Sequence, residues 1–170
     1  MDRKQKLSRH FDLGEFVPQD VDDCPSWIVS ELQDVCTDLL EPIRAHMGGA
    51  LIVHSGWRPP DKNRAVGGVA GGDHENGRAV DFHVTGNADK DWTERTIEAF
   101  HWARERLSGR YGQIILEDHR KVLKNPGKLW VHIAAPSVKH PGTGHDVNAI
   151  LVSLEPKKYT RLPESTTNSA

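Results

Sequence analysis

Between two short β-type runs, residues 50–54 and 79–84, lies a stretch, residues 58–77, that holds Pro59, Pro60 and five glycines. Proline lacks the N–H that regular ladders need, and glycine gives up the most conformational freedom on being ordered. The stretch therefore reads as a loop. A loop this long inside a compact domain is usually functional rather than merely connecting. Any fold for this chain must accordingly hold two strands around a large, ordered, glycine-rich loop.

The residues in and beyond that loop carry chemistry. His74 lies near its end, and Asp81 follows seven positions later inside the strand pattern. A second imidazole, His132, sits in the apolar run Trp130-Val131-His132-Ile133. Because side chains alternate along a strand, Trp130, His132 and Ala134 share one face while Val131 and Ile133 share the other. Asp81 and His83 share a face by the same rule. Gly71, Gly72 and Gly77 give the backbone around His74 access to unusual angles. Two imidazoles and one carboxylate are a donor set that zinc accepts while keeping a fourth position for water.

Elsewhere the pattern is of an α+β fold. Phe11, Leu13 and Phe16 are spaced to anchor an N-terminal arm. Pro25-Ser26 opens a helix with Ser26 as its cap, and Ile28, Leu32, Val35, Leu39 and Ile43 recur at helical spacing. Gly48-Gly49 closes it, and Pro42 should kink or split it. Asp91-x-x-Glu94 forms a capping box for another helix, with Trp92, Thr96, Ala99, Ala103 and Leu107 on one face. Residues 111–117 and 129–134 read as hairpin-like strands around Asn125-Pro126-Gly127, and residues 148–154 as a last strand. Helices come early and mid-chain while the last strands follow one another directly. A largely antiparallel sheet with helices packed on it is expected, rather than a doubly wound parallel one. Residues 1–160 are taken as one domain and 161–170 as a polar tail.

The bulk properties narrow the partners. With 170 residues the chain can bury a core unaided, and its net charge of −2 offers no basic stripe for nucleic acid or an anionic membrane. No run approaches the ~18 apolar residues of a membrane span. The charged start, Met1-Asp2-Arg3-Lys4, leads into no apolar run, so synthesis in the cytoplasm without a signal peptide is expected. Cys24 and Cys36 are too few for a disulfide framework, and Cys36 reads as a small buried hydrophobe.

Four segments in order resemble a known family: LSRHFDLGEF at residues 7–16, SGWRPPDKNRAVGG at 55–68, HENGRAVDF at 74–82 and WVHI at 130–133. The chain resembles the zinc D-alanyl-D-alanine carboxypeptidase and L-alanyl-D-glutamate endopeptidase family, which shares its fold with the hedgehog signalling domain. The resemblance implies that His74, Asp81 and His132 hold Zn2+ and that Arg58 binds substrate or offsets developing negative charge. It also implies a peptidoglycan peptide as substrate, a stem or cross-link containing D-amino acids.

The resemblance is weakest at the general base. Many relatives carry an acid three positions before the last histidine, where this chain has Leu129. A subgroup has instead an acid closing the preceding strand, which is Glu117 here; alternation puts Gln113, Ile115 and Glu117 on one face, with Asp118 directed away. Gly72 replaces a serine found two residues before the first ligand. The expected function is thus hydrolysis by a zinc metallopeptidase, carboxypeptidase or endopeptidase, with Glu117 and Arg58 catalytic. A phage lysin or virion-borne wall-degrading protein would reconcile cytoplasmic synthesis with action at the cell wall. The alternative is a catalytically silent zinc-binding component of a phage particle or other assembly. A metal-dependent nuclease is disfavoured by the charge balance. His83 is a candidate neighbour of, or competitor in, the ligand set; His54 and His119 are not required by spacing; His140 and His145 are read as loop residues, and His10, His46 and His101 as structural or surface residues.

Overall fold

A computed structural model describes residues 1–136 and 149–163; His140, His145, Asn148 and residues 164–170 lie outside the described residues. The fold is α+β. Six strands form one sheet: β1 (Leu51–Ser55), β2 (Ala79–Val84), β3 (Gln113–Asp118), β4 (Leu129–Ala134), β5 (Ala149–Glu155) and β6 (Lys158–Arg161). Their spatial order is β1-β2-β4-β3-β5-β6. All neighbours are antiparallel except β3 and β5, which run parallel. β6 extends the sheet beyond the last expected strand and takes in Arg161, the first residue assigned to the tail.

The N-terminal arm is fastened as its spacing suggests: Phe11, Leu13 and Phe16 are each 1 % exposed. The Arg3 guanidinium reinforces it by donating to the carbonyls of Val17, Pro18, Gln19 and Val21. The first long helical pattern divides as Pro42 requires, into α1 (Ser26–Val35) and α2 (Glu41–Met47). Between them, residues Cys36–Leu40 form a π-helical turn in which the Glu41 N–H reaches back to the Cys36 carbonyl. In a continuous α-helix the Pro42 ring would meet the carbonyl four residues before it. The wider turn makes room for it, and the apolar stripe continues through Leu39 and Ile43. Ser26 is not the cap; Pro25 holds that position and Ser26 is the first helical residue. Gly48 closes α2 in the left-handed region at φ 57°.

α3 (Pro60–Ala65) lies inside the glycine-rich stretch, so the expected loop contains one short helix. α4 (Trp92–Arg106) begins at the Asp91–Glu94 capping box, with the Asp91 carboxylate accepting from the N–H groups of Thr93 and Glu94. Such a cap contributes about 1 kcal/mol. α5 (Arg120–Leu123) is a single turn between β3 and β4.

Strand alternation gives the sheet two faces. Val80, Phe82, Val84, Ile114, Leu116, Val131, Ile133 and Ile150 enter the core together with Ala99, Phe100 and Ala103 of α4. The opposite face carries, in cross-strand register, Ser55, Asp81, His132, Ile115 and Leu151. That second face is the floor of the candidate site.

Candidate metal centre

β2 and β4 are neighbours, and their register sets Asp81 directly opposite His132. His74 comes from the loop that leads into β2, and the loop is tied down by its own polar side chains. The Glu75 carboxylate accepts from the Asn63 side chain and the Gly71 N–H, both at 2.8 Å or less. Trp57 donates its indole N–H to the Glu75 carbonyl at 3.1 Å. Gly71 and Gly77 take φ values of +68° and +67° on either side of His74. The Arg78 guanidinium pairs with Asp73 at 2.8 Å in the interior.

The result is a convergence of three donor atoms. His74 Nε2 lies 3.3 Å from both His132 Nδ1 and Asp81 Oδ1. His132 Nδ1 lies 2.8 Å from Asp81 Oδ1. Ligands 2.0–2.1 Å from a tetrahedral zinc stand about 3.3 Å from one another. Two of the three edges match that spacing and the third is shorter. The set is also chemically suited to a borderline-soft divalent ion, and all three residues are less than 10 % exposed. Among the described residues this is the one group of three or more histidine, cysteine or carboxylate side chains close enough to share a metal.

Neighbouring groups orient the donors. His74 Nδ1 stands 2.7 Å from the Gly56 carbonyl, which can only accept. Nδ1 therefore carries the proton, and Nε2 offers its lone pair to the shared point. The Gly56 carbonyl is itself fixed by a close approach, since a Cβ there would meet Phe16 Cβ at 2.7 Å. Asp81 Oδ2 accepts from Arg58 at 2.5 Å, and Arg58 Nε donates to Ser55 Oγ at 2.7 Å. Burial alone would raise the Asp81 carboxyl, but the His74 and His132 imidazoles outweigh it and hold the group well below the usual carboxylate range.

Arg58 and Glu117 both border this centre. Glu117 sits opposite Trp130 on the floor face, as alternation predicts. Burial and the Asp81 charge push its carboxyl up, against His132, Arg58 and a hydrogen bond from the Trp130 side chain. Leu129, at the position where many relatives carry an acid, is fully buried on the core face. Asp118 is turned away and held by Arg120 at 2.8 Å.

The remaining histidines separate clearly. His83 is not part of the triad; its Nδ1 lies 2.7 Å from His54 Nε2. His119, 4 % exposed, lies 2.9 Å from Ser153 Oγ and 3.6 Å from Glu117 Oε2. His10 bonds Glu41, and His46 stacks on Trp102. Ser55 and Glu75 lie inside the quoted segments, yet the sequence assigns neither a role; Tyr159 lies outside every segment. Tyr159 stands on β6, half exposed, and burial together with the Glu117 and Asp81 charges pushes its hydroxyl pKa up. The strand-favouring pair Tyr159-Thr160 was the available signal for that strand.

Residues 15–114 match the sequence profile of the peptidase M15 family, well over half of the chain. A comparison with curated proteins finds no match. The chain belongs to the peptidase M15 family, the zinc D-alanyl-D-alanine carboxypeptidases. The matched span contains Arg58, His74 and Asp81 and ends before Glu117 and His132. Those two residues are brought to the centre by the pairing of β3, β4 and β2. Among the described residues no helix is long and apolar enough to cross a membrane.

Proposed function

We propose that this M15 peptidase hydrolyses an amide bond in peptidoglycan peptides containing D-amino acids, with Zn2+ held by His74, Asp81 and His132. The observation that carries the reading is the meeting of His74 Nε2, Asp81 Oδ1 and His132 Nδ1 within 3.3 Å of one another. Zinc in such a set supplies a Lewis acid for the scissile carbonyl and acidifies water to a pKa of about 7.

The chain's own residues supply the rest. Gly56 fixes the His74 tautomer, and Arg58 fixes the carboxylate plane of Asp81 while presenting positive charge beside it. Glu117 accepts a proton at its carboxylate from the attacking water as the carbon–oxygen bond forms. It then gives that proton to the leaving nitrogen as the carbon–nitrogen bond breaks. Its raised proton affinity suits both halves of the task. Arg58 offsets negative charge on the carbonyl oxygen in the transition state, and a guanidinium stays charged throughout.

A phage lysin or a protein carried on a virion is the setting in which this activity would meet the cell wall. Purified protein incubated with peptidoglycan, with Glu117→Gln in parallel, tests the reading. New amine termini from the wild type, and a loss of roughly 100-fold or more in Glu117→Gln with zinc retained, are the expected results. Equal inactivity of both zinc-loaded forms would instead support a structural zinc protein of a phage particle or other assembly.

A further inference from the structure

Outside the triad, His54 and His83 face each other across β1 and β2. His83 Nδ1 and His54 Nε2 are 2.7 Å apart, with ring centroids 4.8 Å apart and planes inclined by 35°. The local backbone creates this meeting. β1 pairs Val53 with Phe82 and Ser55 with Asp81, so His54 is an extra residue in a bulge. Bulges re-aim side chains beside functional sites. Here the bulge turns Ser55 onto the floor face, where it holds Arg58, and swings His54 toward His83.

We infer that His54 and His83 form a second, separate metal site, for a divalent ion of the copper and nickel class. Two cis ligands at a square-planar or octahedral metal, each about 2.0 Å away, stand about 2.8 Å apart. A tetrahedral edge is longer, about 3.3 Å. The observed 2.7 Å is close to the cis edge. His54 is exposed and His83 half-buried, so water can take the remaining positions. Imidazole nitrogens are good donors for these ions. Of the charges near His54, Asp81 favours a bound cation and Lys128 opposes it. His83 follows Asp81 by two residues on the same strand face, which sets the two centres roughly 7 Å apart along β2.

A spectroscopic reporter is built in. The Trp92 indole meets the His83 ring edge-on, with centroids 5.1 Å apart. A paramagnetic ion on His83 would quench its fluorescence. The test is a Ni2+ titration of the full chain by equilibrium dialysis with simultaneous zinc analysis, and by tryptophan emission. One nickel equivalent taken up without loss of zinc, with affinity falling at least tenfold in His54→Ala and in His83→Ala, is expected. Trp92→Phe should keep the binding and lose most of the quench. An affinity unchanged in His54→Ala, or nickel taken up only in exchange for zinc, overturns the proposal and leaves the pair as a hydrogen bond between imidazoles. His54→Ala carries the test if His83→Ala does not fold, because His54 is exposed. The readout is the nickel lost with His54, so it stands apart from whether the triad holds zinc or the chain cleaves peptides.

Discussion

Glu117 stands where burial and the neighbouring Asp81 charge disfavour its ionised form. The folded pKa therefore lies above that of the unfolded chain. The cost to stability is absent below the ordinary glutamate value of about 4.3 and develops as pH rises through the folded value. Metal-free Glu117→Gln should thus melt above the metal-free wild type at pH 7 and match it at pH 4. A wild type equal to the variant at both pH values would show that the site imposes no such penalty. The position of Glu117 was legible because strand parity separates it from Asp118, and the core face of β4 accounts for Leu129. Arg58 was legible as a cation beside the loop, but its bond to Asp81 was not, because Ser55 and Asp81 meet only through cross-strand pairing. Tyr159 lay out of reach for the same kind of reason: it stands on a strand more than twenty residues beyond the last motif.

At the level of elements, the local rules that succeeded are those with short range. The Asp91 capping box, the helix stop at Gly48 and the break required by Pro42 each depend on a few adjacent residues. The parallel pairing of β5 with β3 and the bulge at His54 depend on distant partners and left no local trace. The loop that delivers His74 combines both kinds of constraint at Gly77. Its φ is +67°, and a Cβ would lie 3.0 Å from Ile28 Cγ2 and 3.2 Å from the Ile28 carbonyl oxygen. The left-handed conformation alone costs a non-glycine residue roughly 1–2 kcal/mol. Gly77→Ala should lower the unfolding free energy by at least that amount in a denaturant titration and weaken metal retention through His74. An alanine variant as stable as the wild type would mean that the loop takes up the strain without loss.

For the molecule as a whole, the sheet divides the work between its faces. One face packs α4 and closes the core; the other gathers Ser55, Asp81, His132 and Glu117 from four strands, with His74 brought over them by the loop. The α+β class and its largely antiparallel sheet were readable because alternation and helical periodicity are properties of single segments. The convergence of residues 74, 81 and 132 was readable only as a donor set, since distance between segments is a property of the fold. Metal analysis of the purified chain tests that convergence most directly, alongside His74→Ala, Asp81→Ala and His132→Ala. The account predicts one equivalent of zinc in the wild type and its loss in all three variants with the fold retained. Zinc held at full stoichiometry after any of these substitutions would contradict the ligand set.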